Sequence, residues 1–131
     1  MSTHVELLLI PTDNGMVRGI VANGVRTWRG IPYAAPPVGE LRLRSPQRPD
    51  RWNGVLDGSA FGSAPPQSRN PSLTGSRRRA PMDEDCLTLN VSAPLEQARD
   101  RLPVLVYFYG GAFSSGSSMV KTYRGAHLVQ T

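Results

Sequence analysis

The run VLVYFY, Val104 to Tyr109, constrains this chain more than any other feature. A strand with one face in solvent alternates apolar and polar residues, whereas a run without alternation is apolar on both faces and belongs inside an α/β sheet covered by helices. Val104 to Tyr109 is therefore expected to be a central strand. Its cover is hard to find within the 131 residues. PLEQARDR before it gives a short helical turn or loop, and the one later helical pattern is Val120 to Gln130. The chain thus reads as the front part of a larger domain, or as one that needs a partner. A bare strand of this kind would expose apolar surface and a pairing edge, so the isolated chain is expected to self-associate.

The first third has a different grammar. Val5 to Ile10, Met16 to Ala22 and Val25 to Trp28 are short β-rich runs separated by Thr12-Asp13-Asn14-Gly15 and by Asn23-Gly24. Asn-Gly between two such runs is a hairpin signal because both residues accept the positive φ of a type I′ turn. Residues 1–29 are read as an antiparallel meander. From Gly30 to about Ala64, Pro32, Pro36, Pro37, Pro46 and Pro49 block helix interiors and central strands. Ile31, Tyr33, Leu41, Leu43 and Trp52 lie among or close to them, which favours a coil wrapped over a body rather than a free linker. Residues 65–82 read as a mobile surface loop. Residues 83–131 hold the alternating strand CLTLNV, Cys86 to Val91, then the apolar strand, its glycine turn and the start of a helix. The fold class is α/β, with the meander leading into a mixed, mostly parallel sheet.

Composition removes several functions. The longest apolar run falls far short of the roughly 20 residues of a membrane helix, and no basic segment or cleavage site marks a signal peptide. No membrane association is expected. The net charge of +5 comes from 15 Lys and Arg against 10 Asp and Glu, clustered only at Arg77-Arg78-Arg79. That triplet lies in a Pro/Ser-rich stretch with no stacking aromatics, recognition helix or zinc pattern, so no nucleic-acid partner is expected. Cys86 is the single cysteine, which fits a reducing compartment and a cytoplasmic location. No cofactor or metal is expected.

Immediately after the apolar run comes YGGAFSSGSS, Tyr109 to Ser118. A buried strand that ends in a tight glycine turn can aim backbone N–H groups at negative charge. Two chemistries use this arrangement. A phosphate loop would place Gly111, Gly116, Ser117 and Ser118 on a G-x-x-x-x-G-x-[ST] skeleton, but its lysine position holds Ser117, and Lys121 is four residues too late. An oxyanion hole needs two or three fixed donors near a developing carbonyl anion, with glycine to keep side chains out of the way.

Four runs decide how the turn is read: GIPYAAPPVGELRLRSP, the Trp52 to Val55 segment, EDCLTLNV and LPVLVYFYGGAFSSGSS. Together, in order and spacing, they resemble the N-terminal part of the type-B carboxylesterases, α/β-hydrolases that include cholinesterases and bacterial para-nitrobenzyl esterases. The resemblance covers roughly residues 15–131. It implies that Gly111 and Ala112 supply oxyanion-hole N–H donors, that Gly110 is the turn glycine, and that Tyr109 stands where histidine is commoner. It also implies a structural ion pair between Arg42 and Glu84. Cys86 matches a half-cystine of secreted members whose partner would fall near Pro65, so that bridge is not expected.

What the resemblance implies for function is a carboxylic ester hydrolase acting on a small-molecule ester through a serine nucleophile. The G-x-S-x-G motif that carries this serine is not found here. Ser114, Ser115, Ser117 and Ser118 read as small loop residues, and His4 and His127 as structural histidines. The chain is expected to supply the oxyanion hole without the triad, to be inactive alone, and to need the remainder of the hydrolase domain in cis or trans. Two other classes stay open: a non-catalytic relative that binds through its proline-rich coil, and a nucleotide-binding loop that works without lysine.

Overall fold

The computed structural model describes residues 8–68, 81–96 and 101–129. Six short strands form two three-stranded sheets. β1 (Leu9–Thr12), β2 (Gly15–Arg18) and β5 (Val55–Asp57) make the first, and β3 (Ile20–Ala22), β4 (Val25–Pro32) and β6 (Thr88–Pro94) the second. β1 and β2 are antiparallel through the Thr12 to Gly15 turn, with Leu9 opposite Arg18, whereas β2 and β5 run parallel. The Thr12 hydroxyl closes the turn by donating to the Gly15 carbonyl at 2.7 Å and accepting the Gly15 N–H at 3.2 Å. The second sheet is antiparallel throughout, and β3 turns into β4 at Asn23 and Gly24, with φ of 53° and 73°. These are the left-handed values that the Asn-Gly pair predicts.

The run Met16 to Ala22, read as one strand, is two. Gly19 interrupts it, donating its N–H to the Leu8 carbonyl at 2.7 Å. A Cβ at Gly19 would lie 2.6 Å from the Thr27 carbonyl oxygen and from the Trp28 indole nitrogen. β2 and β3 therefore part company there and join different sheets. Gly58 links the sheets again, donating to Arg18 O at 2.7 Å and accepting from Arg29 N at 2.9 Å.

The core sits between the sheets. Val17, Trp28 and Ile31 are buried, with Ile10, Trp52, Leu56 and Ala93 packed around them. The Trp28 indole N–H donates to Leu8 O at 2.8 Å, and the Trp52 indole to Met16 O at 2.9 Å. Both rings thus bury apolar area with their one polar atom satisfied. β4 carries a bulge: Trp28 pairs with Val91 and Ile31 with Leu89, so three steps on β4 match two on β6. Gly30, at φ 63°, absorbs the extra residue and donates its N–H to Asn90 Oδ1, as bulges with a left-handed glycine do.

The proline-rich coil is pinned to this body by Asn14 Nδ2 donating to Pro49 O, Tyr33 N to Leu87 O and Trp52 N to Asn14 O, all between 2.9 and 3.1 Å. Not all of its hydrophobics are covered, contrary to expectation. Ile31 is buried and Trp52 half-buried, but Tyr33 is exposed and Leu43 lies 93% open at a left-handed φ of 59°. The coil is held mainly through its backbone N–H and C=O groups. Arg42 Nε donates to Glu84 Oε1 at 2.5 Å across exposed surface, a pair worth about 1 kcal/mol at most in such a setting.

Two further expectations are corrected. Val104 to Tyr109 takes no strand pairing and is exposed along its whole length, Val104 and Phe108 at 86% and 87%. A strand exists only where a neighbour takes its backbone hydrogen bonds, and none of the described strands reaches this one. Nor does the Val120 to Gln130 pattern form an α-helix among the described residues: a 3₁₀ turn at Lys121–Tyr123 precedes turns through Gly125 to Leu128. His127 lies exposed in those turns. His4, Arg77 to Arg79 and most of the 65–82 loop fall outside the described residues, as does half of PLEQARDR.

Candidate functional site

The turn after Tyr109 is built from its backbone. The Gly111 carbonyl accepts from Ser114 N at 3.0 Å, Ser115 N at 3.1 Å and the Ser114 hydroxyl at 3.1 Å. Ala112 and Phe113 follow at φ 50° and 57°, two successive left-handed residues. So tight a curl leaves no room at Gly111, where a Cβ would overlap the Ser115 carbonyl oxygen outright. Gly110, by contrast, has open space where its Cβ would stand. Glycine is thus a steric necessity at 111, whereas at 110 neither space nor a positive φ demands it.

This arrangement turns the Gly111 carbonyl into the closing acceptor of the loop and leaves two donors over. No hydrogen bond among the described residues uses the N–H of Gly111 or Ala112. Both residues line a cleft of about 450 Å³ with Pro65, Pro66, Gln67, Tyr109 and Ser114. Adjacent free N–H groups on a loop at the edge of an open cleft can take an oxyanion, and they need no metal or cofactor to do so.

The serines have other work. Ser117 is buried and its hydroxyl accepts the Met119 N–H at 3.2 Å, while the Ser114 hydroxyl bonds within the turn. The Walker-like skeleton places Ser117 inside the loop structure and Lys121 exposed at the start of the 3₁₀ turn. Ahead of the turn, the Tyr109 and Tyr107 rings pack on Tyr123 with centroids 6.3 and 5.6 Å apart. Partial cover of its ring pushes the Tyr109 phenol up, and the neighbouring Cys86 and Tyr33 add to it.

Cys86 is a free thiol. Burial raises it above the ordinary thiol range, and Asp85, Asp83 and Glu84 raise it further by repelling the thiolate. The thiolate is the reactive form, so at about pH 8 iodoacetamide is expected to modify Cys86 more slowly than a free cysteine. The rate should keep climbing at pH values where the free thiol has levelled off. Timed quenching and mass spectrometry check this, and a rate at or above that of free cysteine would contradict it.

One residue of the site had no signal in the sequence. Gln67 grips the far end of the loop: its Nε2 donates to Gly116 O at 2.8 Å and to Pro65 O at 3.0 Å, and its Oε1 accepts the Gly116 N–H at 2.7 Å. Gln67 is 49 positions from its partner, so no local pattern could join them.

The model of the carboxylesterase family matches residues 6–131. This chain belongs to the carboxylesterase family. Within it, the para-nitrobenzyl esterase of Bacillus subtilis (strain 168) is 41% identical over 92% of this chain, and the fumonisin B1 esterase of Sphingopyxis macrogoltabida 44% identical over 91%. Among solved structures, a PNB esterase superposes with a TM-score of 0.87 at 41% identity over 97% of this carboxylesterase chain. The α/β-hydrolase fold class is thereby shown. The chain spans 24% and 22% of the two curated relatives and 25% of the solved structure.

Proposed function

We propose that this chain is the oxyanion-hole portion of a serine carboxylesterase. A serine supplied by residues outside these 131 attacks the ester carbonyl, the alcohol leaves, and water hydrolyses the acyl-enzyme. At both tetrahedral stages the former carbonyl oxygen carries negative charge. The N–H groups of Gly111 and Ala112 receive it, with Gly110 the residue that leads into the loop. The observation that carries this reading is the pair of uncommitted donors at the cleft, on a loop whose own carbonyl closes the turn. Small carboxylic esters are the substrate class. The remainder of the hydrolase domain, in cis or trans, brings the nucleophile, acid and base.

The test compares two proteins with a p-nitrophenyl ester. The full-length domain should turn over and be titrated one-to-one by a serine-directed phosphonate, whereas the 131-residue chain alone should do neither. Phosphonate-titrated turnover by the short chain would overturn the division of labour. Saturable ester binding without turnover by the full-length domain would make it a non-catalytic relative instead.

A further inference from the structure

We infer that Gln67 is the positioning residue of the oxyanion loop, a role that rests on the reading above. The loop leaves Tyr109, curls through Gly111 and Ala112, and returns at Gly116. Its return arm lies directly on its outgoing arm: a Cβ at Gly116 would stand 2.8 Å from the Tyr109 ring and 2.9 Å from the Gly110 carbonyl oxygen. Gly116 is buried there at φ 134°. The Gln67 carboxamide takes both polar atoms of the Gly116 residue, as a neighbouring strand would, and ties them to the Pro65 carbonyl. Gly116 is thus clamped from one side by Gln67 and backed on the other by Gly110 and Tyr109. Gly111 and Ala112 are the apex between these fixed arms.

Only a side chain that both donates and accepts at this distance can hold the clamp. Without it the buried Gly116 N–H and C=O lose their partners, and the return arm is free to leave Gly110. The two donors at the apex then lose their placement. Displacements of about 1 Å in such groups can cost on the order of a hundredfold in rate. Gln67 touches no reacting atom in this scheme and acts through Gly116.

The experiment uses the full-length domain with Gln67→Ala and Gln67→Glu. Glutamate keeps the acceptor for Gly116 N–H but, ionised, cannot donate to Gly116 O or Pro65 O. Each variant is expected to lower kcat about ten- to a hundredfold with KM within about twofold, the effect of a group that serves the transition state alone. The second readout is affinity for an aryl trifluoromethyl ketone. In its adduct the serine oxygen bonds to the ketone carbon, the C=O π pair moves onto oxygen as the oxyanion, and the serine proton passes to the general base. That affinity should fall by the same factor as kcat/KM, while the melting temperature shifts by only a few degrees.

Unchanged kcat and ketone affinity in both variants would overturn the role of Gln67. So would a loss of activity matched by a collapse of the melting transition with ketone affinity per folded molecule intact. A separate control distinguishes failure of the parent reading: replacement of Ala112 by lactic acid removes its N–H. If that replacement weakens the ketone and the Gln67 variants do not, the hole stands and the positioning role falls. If it leaves ketone binding unchanged, the oxyanion assignment falls, and the inference about Gln67 with it.

Discussion

Replacing Ala112 with lactic acid in the full-length domain is expected to lower kcat by about 10²–10³-fold, the usual cost of one oxyanion-hole donor, with KM little changed. The replacement turns the backbone N–H into an ester oxygen and keeps the methyl side chain. This matters because ordinary substitutions cannot isolate the donor. A side chain at Gly111 would strike the Ser115 carbonyl, and Ala112 itself sits at φ 50°, so proline there would break the loop rather than silence one group. The edit also makes the Gly111 carbonyl an ester carbonyl, a weaker acceptor for the Ser114 and Ser115 N–H groups and the Ser114 hydroxyl, so a drop of a few degrees in melting temperature is expected with it. Steady-state kinetics with a p-nitrophenyl ester, beside a thermal melt, give the answer. A kcat within twofold of the parent would remove Ala112 from the chemistry.

Trp28→Ala is expected to destabilise the domain by about 3–5 kcal/mol, the range for deleting a buried aromatic side chain. Trp28 is only 4% exposed and packs with Val17 and Ile31 where the two sheets meet. Its removal also leaves the Leu8 carbonyl without the indole donor. The indole sits where a Cβ on Gly19 would be, so the cavity would open against the break between β2 and β3. Urea unfolding followed by circular dichroism measures the loss. A change below about 1 kcal/mol would mean that neighbouring side chains refill the space.

The two effects separate because the loop and the core are held by different forces. The core depends on apolar burial, which is non-directional and spread over many contacts. The loop is held by a few directed hydrogen bonds around Gly111 and Gly116, so each is a large share of what fixes it.

That difference also explains which features could be read from the residues. Asn23-Gly24 was legible because a type I′ turn is a local matter of positive φ, whereas the Leu87 to Val91 alternation gave the strand and its period but not its faces: Leu89 and Val91 are exposed, and Thr88 and Asn90 are the more covered positions. The turn after Tyr109 was legible in outline only, since its left-handed residues are Ala112 and Phe113 rather than the glycine pair, and four runs in register were enough to mark the family. The break at Gly19 was not, since it depends on Trp28 folding back over that glycine, and Leu43 looked like a core residue until its left-handed φ placed it in solvent.

By itself the sequence determined the Asn23-Gly24 turn, a strand through residues 88–91 and the family. Only the tertiary structure decided which sheet each strand joins, that the apolar run stays bare among the described residues, and that Gln67 clamps Gly116. The reason is distance along the chain. Backbone preference and periodicity act over a few residues, while strand partners and the Gln67 clamp join positions tens of residues apart, and nothing in either local stretch specifies its counterpart.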